Sequence, residues 1–424
     1  MAFLIVDVPI KEDNPRIISL DGGGARGLSS LLVLREIMEG IGSDRGASTA
    51  PRPCEYFDLI GGSGTGGLVA IMLGVLGMVI CLQRVVIDCL TVEECVDTYL
   101  NLAKEVFNVD QILNGTIPVG DTQCRFDYKI LEQHIKDMIR DRKGSEHYKM
   151  SEAANSPPYC PTFVVAKTIV QVDGPPTLFR SYAGRNARAS ICPVWQAARA
   201  TTATPSFFKE MFIDNPRPGI KYIDGGLGHN NPAEIALIEA GRLWTTAKAF
   251  CLVSIGTGRQ KAVTMDRVDQ LQPDEQWSLF DKMKEFHSMT MLPEWKTATE
   301  LPIGVRSVIN MAHALSKLAF NSEGVNDRLQ RTSCSTDLTK RFPYYRFNPD
   351  RDLGDIGFGD WKEEKWQHIA AYTKQYLDEH DGETKLSDCV RALIKSRPGN
   401  VAGNCKGKRF EKDYIHSRCC RKGF

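Results

Sequence analysis

The sequence has almost no net charge, because 53 Lys and Arg residues oppose 52 Asp and Glu residues and leave a formal charge of +1. Nucleic-acid-binding domains usually carry a strongly basic surface, so this balance argues against a nucleic-acid partner. The charge is uneven, however, since residues 381–424 hold eleven Lys and Arg against five Asp and Glu. This stretch has little hydrophobic periodicity, and we expect a basic and partly disordered tail.

Cysteine pairing motifs and metal-ligand clusters are also missing. The 13 cysteines are scattered and include no Cys-x-x-Cys pair, which favours reduced thiols in a cytoplasmic protein over a disulfide framework. No His and Cys cluster has zinc spacing, and no acidic loop of EF-hand type is present, so we predict no metal. The first residues, MAFLIVDVPIKED, lack the basic start of a secretory signal.

Charged residues are absent between Asp58 and Arg84. A transmembrane helix needs about 20 apolar residues, whereas this window begins with glycines and hydroxyl residues that are typical of a turn. A helix buried behind the turn is the better interpretation. We therefore expect no membrane span.

Strand-like and helix-like segments alternate through the first 260 residues. Apolar runs such as RIISL (16–20) and YFDLI (56–60) end in glycines, and apolar residues at helical spacing follow. This alternation predicts an α/β fold with a mostly parallel sheet covered by helices on both faces. After residue 258 the pattern changes to a polar linker, helical segments, the strand-like YYRFN and a last helix over about 361–379, which predicts a mainly helical extension.

The segment DGGGARG (21–27) places a Gly-x-Gly-x-x-Gly pattern between a strand and a helix. In a dinucleotide-binding fold such glycines seat a pyrophosphate, but an acidic residue must also end the next strand. The acid at about that distance is Asp44, which lies in a loop-like sequence, so the dinucleotide interpretation is disfavoured. In the other interpretation, consecutive backbone N–H groups form a nest that stabilises an oxyanion.

The segment YIDGGLGHNNP (222–232) holds an aspartate, Asp224, at the end of a strand and before Gly225 and Gly226. A carboxylate at the carboxyl edge of a sheet is well placed to act as a general base. Taken alone, an Asp-Gly pair is more often a turn in which the aspartate caps its own loop.

The segment LIGGSGTGGLVAIMLG (59–74) combines a strand end, a glycine turn and an apolar helix. A nucleophile elbow has the pattern Gly-x-Ser-x-Gly at such a turn. This pattern can be aligned with the segment in two registers, and each register departs from the pattern at one position. With Ser63 at the centre, Thr65 takes the second glycine position; with Gly62 and Gly66 as the flanking glycines, the centre is Gly64.

Taken together, LDGGGARG, FDLIGGSGTGG and YIDGGLGHNNP resemble the hallmark motifs of the patatin-like phospholipases, particularly those of fungal type. The resemblance covers about residues 14–260. It implies a three-layer α/β/α fold and a lipid acyl hydrolase with a Ser–Asp dyad, no required histidine and no cofactor. In this family the aspartate, here Asp224, accepts the proton of the nucleophile. The oxyanion turn would comprise Gly22, Gly23, Gly24, Ala25, Arg26 and Gly27.

The resemblance also selects a register for the elbow. The family serine stands two residues before a Gly-Gly pair, which is Gly66–Gly67 here, so the nucleophile position is Gly64. Ser63 then stands where the family commonly has threonine, and its side chain should point away from the oxyanion turn. We therefore expect an impaired hydrolase in which Ser63 is a poor substitute nucleophile. The alternative is a pseudoenzyme that binds a lipid or a protein partner through the same pocket.

Three regions are expected: a hydrolase domain over 14–260, an extension over 261–380 that packs on it, and the tail over 381–424. The expected partner is a phospholipid or another lipid ester, with peripheral membrane contact. One departure from the family is VICLQRVVIDCL (79–90), which looks like an insertion or an error in the gene model.

Overall fold

The structure is a computed structural model in which one sheet carries helices on both faces. It describes residues 14–46, 50–78, 94–108, 124–157, 159–205, 207–214, 218–247, 249–259, 319–333, 342–350 and 353–396. The strands are β1 (Arg16–Leu20), β2 (Leu59–Ser63), β3 (Thr162–Thr168), β4 (Thr177–Arg180), β5 (Met211–Ile213), β6 (Ile220–Asp224), β7 (Cys251–Ile255) and β8 (Tyr344–Phe347).

The helices differ widely in length. They are α1 (Gly27–Asp44), α2 (Pro53–Tyr56), α3 (Gly64–Ala70), α4 (Glu94–Asn108), α5 (Tyr128–Lys143), α6 (Val194–Thr201), α7 (Gly226–His229), α8 (Ala233–Leu243), α9 (Glu323–Ser333), α10 (Glu363–Asp378) and α11 (His380–Lys395). A π-helical turn, Ile71–Val75, continues α3, and 3-10 turns lie at Gly24–Arg26, Met150–Asn155 and Leu353–Asp355.

The strand order is β5-β6-β3-β2-β1-β7-β8, and β4 also pairs with β3. From β3 to β8 all neighbouring strands are parallel, whereas β4, β5 and β6 are added in antiparallel pairings. Because parallel strands end at the same edge, the chain leaves β1 and β2 side by side. The predicted fold, a mostly parallel sheet between helical layers, is confirmed.

Alternate residues of the central strands enter two separate cores. Ile18 and Ile60 belong to the larger core with α1 and α3, whereas Ile17 and Leu59 belong to a smaller core beneath α8. Side chains alternate across a strand, so a strand that is buried on both faces has a continuous apolar sequence. This is why RIISL was recognisable as a strand.

The C-terminal part differs from the expectation of a tail without periodicity. Residues 380–395 form α11, which buries Cys389, Val390 and Leu393 and packs against α1 and α10. The expected disorder is therefore wrong for this stretch, because its apolar residues keep helical spacing among many charged neighbours. The extension also contributes β8 to the central sheet. Residues 79–90, 260–318 and 397–424 lie outside the described residues.

A buried ion pair ties the start of β1 to the start of β2. The Arg16 and Asp58 side chains are 1% and 3% exposed, with Nε and Oδ2 3.3 Å apart. The Arg16 backbone N–H also donates to this carboxylate, at 2.9 Å. The guanidinium lies over the Tyr56 ring, 4.1 Å from its centroid. The pair therefore joins two strands that lead directly into the two glycine turns.

We expect Asp58→Asn to lower the free energy of unfolding by about 3–5 kcal/mol, because it leaves a buried guanidinium without its counter-charge. Chemical denaturation measures this. The matched control is Asp137→Asn, which breaks an exposed pair with Arg140 and should change stability little. Equal losses in the two variants would contradict the assigned role of the buried pair.

Candidate active site

The turn between β2 and α3 has the geometry of a nucleophile elbow. Gly64 has a φ of +56°, whereas Ser63 before it is extended, with φ −126° and ψ 143°. A non-glycine residue in the left-handed region is strained, as elbow nucleophiles are. A Cβ on Gly62 would collide with the Gly66 carbonyl, and a Cβ on Gly66 would collide with the carbonyls that end β1. The close approach of strand and helix therefore centres the turn on Gly64.

A side chain at position 64 would point towards the end of β6. A Cβ placed on Gly64 would lie 3.2 Å from each carboxylate oxygen of Asp224 and 3.4 Å from the Cα of Gly22. Position 64 thus lies between the aspartate and the first glycine turn. The fold brings together three segments that are separated by about 40 and 160 residues in the chain.

Ser63 is directed elsewhere. It is fully buried within β2, where it pairs with Val165 of β3. Alternation along the strand directs its side chain to the same face as Leu59, which packs in the core under α8. Among the described residues, its hydroxyl has no hydrogen-bond partner and therefore no adjacent base.

Asp224 ends β6 and is 3% exposed. The Thr204 hydroxyl donates to its Oδ2 at 2.6 Å, and the Gly226 N–H donates to its Oδ1 at 2.7 Å. Burial raises the pKa of this carboxyl to about 6, against the opposing effect of these two hydrogen bonds. A carboxylate with a raised pKa is a better proton acceptor than an exposed one at neutral pH. Gly225 and Gly226 then turn the chain into α7.

The backbone N–H groups of Gly23 and Gly24 converge on one point. Both donate to the Thr65 hydroxyl, each at 3.1 Å. Converging amides of this kind stabilise a negatively charged oxygen. The Gly22 carbonyl accepts a hydrogen bond from the Thr257 hydroxyl at 2.8 Å, and this bond fixes the orientation of the turn. Gly24, Ala25 and Arg26 form a 3-10 turn that runs into α1 at Gly27.

Two threonines, one at the end of α6 and one three residues beyond it, support the site and were missed in the sequence. Thr204 binds Asp224, as described above. The Thr201 hydroxyl accepts from the Gly64 N–H at 3.0 Å and donates to the Val165 carbonyl at 2.6 Å. The hydroxyl-rich ATTATP (200–205) was a local signal, since such residues often bond to backbone, but it did not reveal these distant partners.

An apolar pocket lies beside the elbow. Its lining includes Leu68, Leu102, Val106 and Phe208, with Thr65 on its polar side. The free volume within it is about 20 Å³, which is room for about one water molecule.

A helix-flanked sheet with a sharp strand–helix turn opposite a buried aspartate resembles the frame on which α/β acyl hydrolases carry a nucleophile. The family model described as patatin-like phospholipase matches residues 18–237, which is more than half of the chain. The chain therefore belongs to the patatin-like phospholipase family.

Two relatives illustrate the extent of the similarity. Human calcium-independent phospholipase A2-gamma is 32% identical over 397 residues, which are 92% of this chain and 41% of that protein. Phospholipase A I of Arabidopsis thaliana is 29% identical over 297 residues, which are 57% of this chain and 20% of that protein. The chain thus spans less than half the length of either relative.

Solved structures are less similar. Human GIVD cytosolic phospholipase A2 has a TM-score of 0.40 and 10% identity, over 91% of this chain and 61% of that one. VipD from Legionella pneumophila has a TM-score of 0.30 and 12% identity, over 91% of this chain and 75% of that one. The family assignment rests on the sequence match.

The described ranges contain neither a membrane-spanning helix nor a metal-binding cluster. None of the helices found there has both the length and the apolarity to cross a bilayer. In the same ranges, no group of three or more His, Cys, Asp and Glu side chains is arranged to hold a metal ion.

We expect Asp224→Asn to raise the free energy of unfolding at pH 7. The pKa of this carboxyl is raised from 3.8 to about 6 in the folded chain, so the folded state loses stability as pH rises from about 4 to 6. This shift corresponds to about 3 kcal/mol, and asparagine removes the buried charge while retaining hydrogen-bonding groups.

Urea denaturation of both proteins at pH 7 and at pH 4 measures this difference. The gain should be largest at pH 7 and small at pH 4, where the carboxyl is protonated in both states. A variant that is less stable than the parent at pH 7 would show that the hydrogen bonds outweigh the cost of burying the charge.

Proposed function

We propose that the chain has the frame of a lipid acyl hydrolase, of phospholipase A2 or lysophospholipase type, in which Gly64 replaces the nucleophilic serine. One observation carries the proposal: a Cβ on Gly64 would face both oxygens of Asp224, whereas the Ser63 hydroxyl is buried without an adjacent base. The chain then binds a lipid ester and turns it over slowly.

With a serine at position 64, the reaction would run in two steps. Asp224 would take the proton of the serine hydroxyl as its oxygen attacks the ester carbonyl. The Gly23 and Gly24 amides would turn from the Thr65 hydroxyl, to which they donate in this structure, to the oxyanion, and the proton would pass to the leaving alcohol. Water, activated by the same aspartate, would then release the fatty acid. Loss of a serine nucleophile costs about 10⁶ in rate in a serine protease.

Several features support a lipid ester as the ligand. The relatives named above are phospholipases, and the pocket beside the elbow is lined mainly by apolar side chains. We assign the hydrolase unit to residues 14–260, completed by β8 of the extension. We also infer a cytoplasmic location with peripheral membrane contact.

We expect Gly64→Ser to raise ester hydrolysis by at least about 10³-fold, because it supplies the attacking oxygen beside Asp224. The substitution should cost about 1–3 kcal/mol of stability, since serine must adopt the positive φ. A short-chain chromogenic ester and a phospholipid are the substrates to assay. The rate should fall below about pH 6 as Asp224 becomes protonated.

Two control variants test the register of the elbow. Adding Asp224→Asn to Gly64→Ser should abolish the gain, and adding Ser63→Ala should leave it unchanged. If the unaltered chain hydrolyses esters at enzymatic rates and Ser63→Ala removes this activity, Ser63 is the nucleophile. If Gly64→Ser folds but remains inactive, the alternative of a binding pseudoenzyme is favoured.

A further inference from the structure

Of the six large apolar side chains that are exposed in the described part of the chain, three lie at one hairpin. Ile169, Val170 and Val172 are 41%, 88% and 41% exposed, and all three lie in the turn that joins β3 to β4. We refer to residues 169–174 as the β3–β4 tip. Tight turns usually expose polar residues, and clustered exposed apolar side chains mark an interaction surface.

The β3–β4 tip projects beyond the candidate active site. Ser63 pairs with Val165 and Asp224 pairs with Ala166, so the elbow and the aspartate lie level with these two residues of β3. The strand continues in the same direction to Thr168 before the tip begins. At about 3.3 Å per residue, the tip extends up to roughly 13 Å past the level of the aspartate.

A neighbouring strand adds one more exposed apolar side chain on the same face. The Ile169 N–H donates to the Lys221 carbonyl at 3.2 Å, and Lys221 pairs with Phe212 of β5. Phe212 is 52% exposed. Residues that lie opposite each other on adjacent strands share a face, so Ile169, Lys221 and Phe212 form one row across three strands.

Hydrogen bonds from a buried lysine hold the backbone of the tip in place. The buried Lys167 donates its Nζ to the carbonyls of Val172 and Gly174, at 2.8 Å and 2.7 Å. These hydrogen bonds fix the backbone of the turn, so the exposed apolar side chains are presented on an ordered backbone.

We propose that the β3–β4 tip and Phe212 insert into the surface of a lipid bilayer and orient the candidate active site towards it. This proposal rests on the proposed function, because the lipid ester would reach the candidate active site at the same edge of the sheet as the tip. A convex hairpin tip suits the interfacial region of a bilayer, into which apolar side chains penetrate about 5–10 Å. A protein groove would instead require a complementary partner.

The charges beside the tip favour a zwitterionic bilayer. Lys221 pairs with Glu210 at 2.7 Å, and Asp173 lies within the tip itself. The local charge is therefore nearly balanced, and electrostatic attraction to anionic lipid contributes little. Binding through this surface should persist in vesicles of phosphatidylcholine and should depend weakly on salt.

Flotation of the full chain with phosphatidylcholine vesicles at high salt tests the proposal. Val170→Asp should weaken partition at least about tenfold, because it replaces an inserted apolar side chain with a charge. Ile238→Asp is the matched control, since Ile238 is 57% exposed on α8 and lies outside the tip. It should leave partition unchanged.

Position-specific fluorescence gives a second measurement. Acyl chains labelled with bromine should quench Val170→Trp and not Ile238→Trp, relative to the parent with its six tryptophans. Failure of the unaltered chain to bind vesicles, or equal partition of the two aspartate variants, would overturn the proposal.

Hydrolysis of a soluble short-chain ester by Gly64→Ser tests the proposed function separately, because it needs no membrane. If that variant is inactive while vesicle binding still requires Val170, the function fails and the membrane surface stands. If that variant is active while vesicle binding does not depend on Val170, the proposed function is supported and the proposed membrane surface is wrong.

Discussion

Direct backbone contact between β2 and α3 is the constraint on which the site depends. Gly62 and Gly66 carry no Cβ, so the first turn of α3 packs against the end of β2 and against the carbonyls of Leu20 and Asp21. Larger residues would force strand and helix apart. The contact places position 64 at the carboxyl edge of the sheet and gives it a left-handed backbone that only glycine adopts without strain.

Residues beyond the family match complete the support of this edge. Arg346 of β8 donates to Asp21 at 2.6 Å and to Ser254 at 2.9 Å, and both its own and the aspartate side chain are almost fully buried. Asp21 immediately precedes the turn that holds the converging amides. The extension therefore contributes a buried positive charge next to the candidate site. A domain boundary at residue 260 would place the two partners of this ion pair in different domains.

The sequence predicted those parts of the molecule that depend on local chemistry. RIISL, the glycine elbow and the Asp-Gly-Gly turn were recognisable because strand burial and tight turns each demand particular neighbours. Thr201, Thr204 and Arg346 were not, because their partners lie far away in the chain and no local pattern marks them. Helix α11 was missed for another reason: its few apolar residues are diluted by charged ones, and packing against α1 and α10 supplies the stability that its own sequence does not.

The frame of the site and the chemistry of position 64 are separable because they rest on different contacts. Thr204 and Gly226 hold Asp224, Thr201 holds the Gly64 amide, and none of these bonds involves a side chain at position 64. Glycine there relieves the strain that a serine would impose, but it does not lower the cost of burying Asp224, whose pKa stays raised to about 6. The folded chain thus keeps a buried carboxylate next to an elbow whose central residue has no hydroxyl. The residues at positions 64 and 224 can therefore be changed independently, and each change alters a different property of the site.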